Sequence, residues 1–507
     1  MTQELYETLQ EKLGEIRDLR GVLGLLSWDQ QTIMPAKGAS IRASRMATLT
    51  RIIDEKFRAD ELGDMLEQLT GFEQGLSFDS DAASIIRVSR RDYVRNKLVP
   101  TEIKVALSKA TSEGYGAWVE ARRESDFSKL QPFLETIVAL KRQEIACVRE
   151  ADDSFDEDYD VLLNYFEPGL KSSEVTRVFD ELKAATIPLV AHVRERADLV
   201  DDALLHGNFP VDVQEQTVLR VAKQLGFTND AWRLDVTEHP FASSPGIDDI
   251  RITTRYQQDF LNPAWFGTMH EFGHGLYEHG VSKSLERTPL ARGASMAFHE
   301  SQSRMWENLI GRGRPFWTWG LPILREAYPD TYATATEEDV YRAVNKFGPS
   351  LIRVEADELT YNLHIILRFE IERDLFSGKI EVADLREVWT SNIKQYLGLD
   401  VPNDAEGVLQ DVHWGEGLLG YFPTYALGNV VSLQLWERIR KDLPDLDAQT
   451  ARGEFGGLRS WLADNIHQHG RKYTPNELLQ RVVGTENFDA KPLIAYLSGK
   501  VTELYGA

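Results

Sequence analysis

The sequence predicts a mainly α-helical protein with a small antiparallel β-sheet beside a helix that carries a metal-binding pattern. Three observations predict it. Apolar residues recur at helical spacing through most of the 507 positions. Proline is scarce, at 19 residues, and no Ser/Pro/Gly-rich linker interrupts the chain, so residues 1–507 read as one continuous body. Only near Trp232 does the pattern change to the alternation of half-buried strands. Within that body, 1–230 form a helical scaffold, 231–440 carry the chemical motifs and 441–507 add a C-terminal helical part.

In chain order, Leu5, Leu9, Leu13, Ile16 and Leu23 make one apolar stripe on a helix over residues 2–27. Helical patterns continue through 40–66 and 82–150. The run Asp152-Asp153-Ser154-Phe155-Asp156-Glu157-Asp158 lacks the glycine and terminal glutamate of a calcium loop and reads as a solvated turn. A helix follows over 173–198, then a turn at 205–210, then a helix through Gln224. Residues 233–237 and 250–254 alternate polar with apolar residues and are rich in β-branched side chains, so they read as two strands. Pro240 and Pro245-Gly246 place a loop between them. The edge of such a sheet could accept an extended peptide as an added strand.

The motif helix carries His270-Glu271-Phe272-Gly273-His274. Imidazoles four residues apart lie on one helix face and can grip a single cation, with the glutamate beside it. This is the H-E-x-x-H pattern of zinc-dependent peptide hydrolases. The competing reading is two core histidines beside a surface glutamate. Asn262 and Pro263 start the helix and Gly280 ends it.

A catalytic site needs a third protein ligand and an open position. The extended pattern with a third histidine fails, because Tyr277 stands at its glycine and Gly280 at its histidine. Glu300, on a second helix over 294–310 ended by Gly311, is the leading candidate. Glu286, His299 and Glu307 are rivals, and Glu278 is the weakest because it follows His274 on the same helix.

Composition excludes several classes of function. A formal net charge of −23 argues against nucleic acid or anionic membrane as the main partner. Cys147 is the only cysteine, which rules out an internal disulfide and fits a reducing compartment. The N-terminus opens a charged amphipathic helix, and no run approaches the roughly 18 apolar residues that span a bilayer. The expectation is a soluble cytoplasmic protein.

Further short motifs extend through the second half: His239-Pro240-Phe241, Asp249-Ile250-Arg251-Ile252-Thr253, His299-Glu300-Ser301-Gln302, Ile352-Arg353-Val354-Glu355-Ala356-Asp357 and Gly407-Val408-Leu409-Gln410-Asp411-Val412-His413-Trp414. With these and the H-E-x-x-H segment, the chain resembles the carboxypeptidase Taq family of metallocarboxypeptidases over nearly its full length. The resemblance implies a helical fold with a long deep groove. It implies His270, His274 and Glu300 as ligands to one zinc or cobalt ion per chain. It also implies a homodimer that releases single residues from peptide C-termini, with broad specificity that disfavours a terminal proline.

The chemistry assigns the remaining roles. Glu271 is placed to take a proton from the attacking water and pass it to the leaving amine. The developing oxyanion needs donors, for which His413, Tyr421 and Tyr425 are candidates. Related helical metallopeptidases place a histidine and a downstream tyrosine here, a spacing that Tyr425 matches better than Tyr421. Both tyrosines could instead be packing residues.

A free carboxylate suits a planar guanidinium, and Arg353 leads, with Arg251 and His239 as secondary groove residues. A predicted helix over 350–376 puts Arg353, Asp357 and Tyr361 on one face, so Arg353 and Asp357 could simply pair. Asp357 could alternatively orient a ligand imidazole. His467 and His469, two apart, read as structural. An endo-oligopeptidase or dipeptidyl carboxypeptidase would share the same catalytic centre, and a peptide-binding protein without activity is the remaining alternative.

Overall fold

Leu9, Leu13 and Ile16 are buried along the inner face of α1 (Thr2–Thr32) in the computed structural model, which describes residues 2–507. The stripe packs on α2 (Ala39–Phe57) and α3 (Asp81–Leu98) in a small hydrophobic cluster. Ile247, Val281, Leu285 and Leu290 from the catalytic half join that cluster and pin the N-terminal helices to it. The long helical pattern over 82–150 resolves into three helices: α3, α4 (Thr101–Glu124) and α5 (Gln131–Ala151). Pro100 separates the first two, since it cannot continue a helix. Ser125, at φ 53°, ends the second in the left-handed region. A second, much larger cluster holds the rest of the molecule together. No helix among the described residues is long and apolar enough to cross a membrane.

The sheet corrects the prediction in two ways. It has three strands, β1 (Trp232–Val236), β2 (Ala242–Gly246) and β3 (Asp249–Thr254), in the order β1-β3-β2. β1 pairs with β3 in parallel, Trp232 opposite Ile250, whereas β2 and β3 are antiparallel, so the sheet is mixed. The segment read as a loop is β2 itself. Proline is tolerated there because β2 is an edge strand with an irregular register between Ser243 and Gly246. That edge lies against α1: a Cβ added at Gly21 would sit 3.0 Å from the Pro245 carbonyl oxygen.

The motif helix, α6 (Asn262–His279), starts and stops within a residue of the predicted limits and is buried on most sides. The second predicted helix is α7 (Met296–Arg304), whose continuation, Met305–Gly311, is π-helical. The predicted helix over 350–376 is absent from its first third. Arg353–Glu355 form a 3-10 turn, and the helix, α8 (Tyr361–Phe376), begins only after Asp357. The Asp357 carboxylate accepts from the backbone N–H groups of Leu359 and Thr360, at 2.8 and 2.9 Å, and from that of Gly348. The carboxylate folds the 357–360 turn that leads into α8, which accounts for the break, and its bonds go to backbone N–H groups, not to Arg353 or a candidate ligand imidazole.

Candidate metal centre

Close helix crossings assemble the centre. Gly273, between the two motif histidines, lets α6 touch α7: a Cβ there would lie 2.5 Å from the Gln302 carbonyl oxygen. On the other side, Gly428 of α9 (Pro423–Asp442) approaches Glu300, with a Cβ falling 2.5 Å from the Glu300 Cβ. The helix that carries Glu300 is thus held between two glycine surfaces, with Glu300 itself against Gly428 and near both imidazoles. Its Oε2 lies 3.6 Å from His270 Nε2 and 3.4 Å from His274 Nε2, and the ligand atoms of all three residues fall within 4.8 Å of one another.

These separations are long for good hydrogen bonds. They match ligand edges, because atoms about 2.0–2.2 Å from a tetrahedral zinc lie roughly 3.3–3.6 Å apart. Two imidazoles and one carboxylate also suit a borderline divalent cation. The residues present therefore fit a single bound ion.

Each imidazole is oriented from behind. His270 Nδ1 bonds Glu307 Oε2 at 2.9 Å, and the π-helical turn presents that glutamate. His274 Nδ1 meets His299 Nδ1 at 2.7 Å, and His299 Nε2 reaches Glu278 Oε1 at 2.7 Å. Were a cation held at Nε2 of His274, its Nδ1 would be the donor. His299 would then accept on Nδ1 and donate from Nε2 to Glu278. Three of the rival residues thus bond to the two imidazoles or to one another. The fourth, Glu286, accepts from the Ile247 backbone N–H.

The electrostatics favour a neutral His274 beside an ionised Glu300; burial works to lower His270, but the Glu300 charge and the Glu307 hydrogen bond raise it overall. Burial, with the neighbouring His299 and His270, pushes His274 down to about 4. Burial also opposes ionisation of Glu300, but Arg304, which donates from Nε to its Oε1 at 2.7 Å, and the two histidines hold it well below the usual range. Burial pushes Glu271 up to about 7, with the Glu300 and Glu307 charges adding to the effect.

Beside the cluster, the Gly407–Trp414 segment is anchored at several points. Gln410 Oε1 accepts from the Arg353 backbone N–H at 2.9 Å, and Trp414 Nε1 donates to the buried Glu372 at 2.7 Å. Asp411 takes two bonds from Arg353, at 2.7 and 3.0 Å, and one from Arg368 Nε at 2.7 Å. The result presents His413, whose Nε2 lies 3.3 Å from the Tyr425 hydroxyl and whose ring packs 4.5 Å from Phe422. Burial, with the Arg353 and Arg368 charges, pushes His413 down to about 4, so it is neutral near pH 7.

Tyr421 and Tyr425 meet edge to face at 5.2 Å. Burial raises both hydroxyls, Tyr421 to about 12, and the Glu300 charge reaches both. Tyr361 links the groups: its ring lies 4.3 Å under Arg304 and its hydroxyl accepts from Arg353 at 3.2 Å.

The secondary candidates lie elsewhere. Arg251 pairs with Asp249 at 2.7 and 3.0 Å and sits 4.5 Å over Trp28 of α1. His239 is exposed in the turn after β1. Neither has a hydrogen bond or ion pair to the cluster. His467 is buried against Gln302 at 2.8 Å, a structural role. Sequence reasoning missed Arg304, Tyr361 and Arg368 as parts of the site; Arg304 and Glu300, four apart on α7, were the one readable signal.

Comparison with known proteins agrees with this geometry. The family model described as Carboxypeptidase Taq (M32) metallopeptidase matches residues 8–501. Thermostable carboxypeptidase 1 of Thermus thermophilus is 39% identical over 512 residues, covering 100% of both chains, and carboxypeptidase 1 of Bacillus subtilis is 38% identical over 97% of each. The crystal structure of the M32 carboxypeptidase from Deinococcus radiodurans superposes with a TM-score of 0.95 at 38% identity, covering 99% of this chain and 100% of that one. A trio on crossed helices that could hold a metal ion, and likeness over the whole length, lead to one conclusion: the chain belongs to the carboxypeptidase Taq (M32) family of metallopeptidases and is a peptide hydrolase.

Proposed function

We propose that this chain removes single amino acids from the C-termini of peptides with broad specificity, and that Glu271 handles the protons of the cleavage. The observation that carries the reading is the isolation of Glu271. Glu278, Glu300 and Glu307 around it are all hydrogen-bonded. Glu271 is 7% exposed and has no side-chain hydrogen bond or ion pair among the described residues.

His270, His274 and Glu300 would hold one zinc or cobalt ion, which when bound acidifies water and polarises the carbonyl of the bond to be cut. Glu271 takes the proton as the water oxygen bonds to the carbonyl carbon, and returns it to the amide nitrogen as the C–N bond breaks. The charge that develops on the carbonyl oxygen is assigned to the Tyr425 hydroxyl, steadied by His413, with Tyr421 beside it.

Arg353 is assigned the terminal carboxylate of the substrate. Asp411 and Tyr361 engage three of its N–H groups, and the two left on a guanidinium of fixed orientation suit a planar anion. The lone Cys147, which is free, and the family resemblance support a cytoplasmic homodimer.

The test is to incubate metal-loaded enzyme with an unblocked peptide and with its C-terminal amide, and to follow both by mass spectrometry. A ladder that loses one residue at a time from the free acid, with the amide resistant, is the expected result. Internal cuts, or steps of two residues, would replace this reading with an endo-oligopeptidase or a dipeptidyl carboxypeptidase.

A further inference from the structure

A cavity of about 280 Å³ opens between the N-terminal helices and the loop that precedes α7. Its charged lining consists of four cations, Arg20, Arg95, Lys104 and Arg292, and two acids, Asp92 and Glu144. Both acids are already engaged by groups other than those cations. Asp92 is held by Arg471 at 2.9 and 3.3 Å and approached by Arg91 at 3.6 Å. Glu144 is held by Lys141 at 2.9 Å and by the Tyr165 hydroxyl at 2.7 Å.

The four lining cations consequently have no carboxylate at ion-pair distance among the described residues. Arg95 donates to the Asn164 carbonyl at 3.2 Å, and Lys104 to the Asn96 carbonyl at 2.7 Å. Arg20 lies 5.3 Å over the Phe57 ring, and the Arg292 side chain has no hydrogen-bond partner. Arg20 and Arg292 are both open to solvent. Repulsion from Arg471, followed by burial, pushes the Arg292 guanidinium down, although the Asp92 and Glu278 charges act the other way. In a chain with a net charge of −23, acids were abundant, yet the cavity holds four cations to two acids, and neither acid pairs with a lining cation.

The cavity also adjoins the metal centre along the chain. Arg292 precedes Gly293, whose N–H donates to Glu278 at 2.9 Å, behind the His299–His274 pair. Tyr165 precedes Phe166, whose ring meets Tyr421 at 5.0 Å.

We propose that this cavity is an oxyanion subsite, with Arg292 and Arg20 as its direct contacts and Arg95 and Lys104 as the supporting positive field, and that its occupant is the carboxylate of an acidic side chain in the peptide being cleaved. The choice of occupant rests on the peptidase reading, whereas the anion chemistry does not. Guanidiniums recognise carboxylate and phosphate oxygens through the same paired donors. A cleft with an excess of positive charge concentrates such ligands.

The test measures binding without turnover, on metal-loaded Glu271→Gln protein, by calorimetry. The ligands are peptides of one length carrying Glu or Gln at successive positions upstream of the C-terminus, and inorganic phosphate alone. At one position or more, the Glu peptide is expected to bind at least about tenfold tighter than the Gln peptide. The ratio should fall towards one in Arg292→Gln and in Arg20→Gln, and should largely return in Arg292→Lys. Phosphate should compete with the Glu peptide.

Phosphate binding that depends on Arg292, with no Glu advantage at any position, would keep the anion site and overturn the peptide as its occupant. Equal affinities for all peptides with no phosphate binding would overturn the proposal entirely. Failure of wild-type enzyme to cleave any of the peptides would count against the peptidase reading alone.

Discussion

Two charged regions of this molecule follow opposite rules. Around the imidazoles and on through Arg353, Asp411 and Arg368, every charged side chain except Glu271 is matched to a partner at hydrogen-bond distance. In the cavity lined by Arg20 and Arg292, the cations are gathered and left unmatched. The difference separates groups that hold a geometry from groups that await something. A matched charge in a buried site fixes direction, because breaking the pair strands the other member. An unmatched charge in a wet cleft keeps its donors for a ligand. By that criterion Glu271 belongs with the cavity arginines, although it sits inside the matched region.

The contrast is sharpened first at Glu271. Glu271→Gln should lower kcat by about 10²–10⁴-fold with metal content unchanged by elemental analysis; loss of the metal would move Glu271 into the matched set. Next comes a matched group. Asp411→Asn strands Arg353, with a side chain 7% exposed, and Arg368, at 0%, and should cost about 3–5 kcal/mol in urea unfolding. A neutral result there would break the comparison.

Glu307→Gln removes the support behind His270 and should weaken metal binding about 10–100-fold, read by competition with a chelator. A pH-dependent effect follows from Glu372, buried among Tyr159, Trp414 and the Gly420 N–H. Burial pushes it up to about 7. Below its ordinary value near 4.5 it is neutral both folded and unfolded. As pH rises from there through about 7, the unfolded chain releases the proton first, so this contribution to stability is progressively lost. The stability of Glu372→Gln should therefore fall less than that of the wild type between pH 4.5 and 7 in parallel denaturant titrations. The smallest effect belongs to the unmatched set: Arg292→Gln should change unfolding free energy by no more than about 0.5 kcal/mol.

Local patterns were legible in the sequence and remote pairings were not. α6 was readable because Pro263 and Gly280 bracket it and His270 and His274 are four residues apart, and Glu300 because a second helix was needed to supply a ligand. Arg353 was misplaced for a physical reason. Its spacing to Asp357 and Tyr361 mimics a helix face, but an aspartate can also bond the N–H groups two and three residues on and fold a turn, and the turn prevailed. Its true partner, Asp411, is 58 residues away and carries no periodic signal. The sheet was read as antiparallel rather than mixed because the β2 segment, with its proline, reads as a loop until an edge position makes that proline harmless. The cavity cations come from three separate helices and a loop, so no stretch of sequence announces them.

The two glycines packed against α7 leave the centre little room to vary. A single methyl group at Gly273 or Gly428 would have to enter space where backbone or Glu300 atoms already stand 2.5 Å away. Helix spacing would widen by more than the few tenths of an ångström that separate a coordinating triangle from a loose one. Alanine, the mildest of replacements elsewhere on a helix, is here a direct lever on ligand distance.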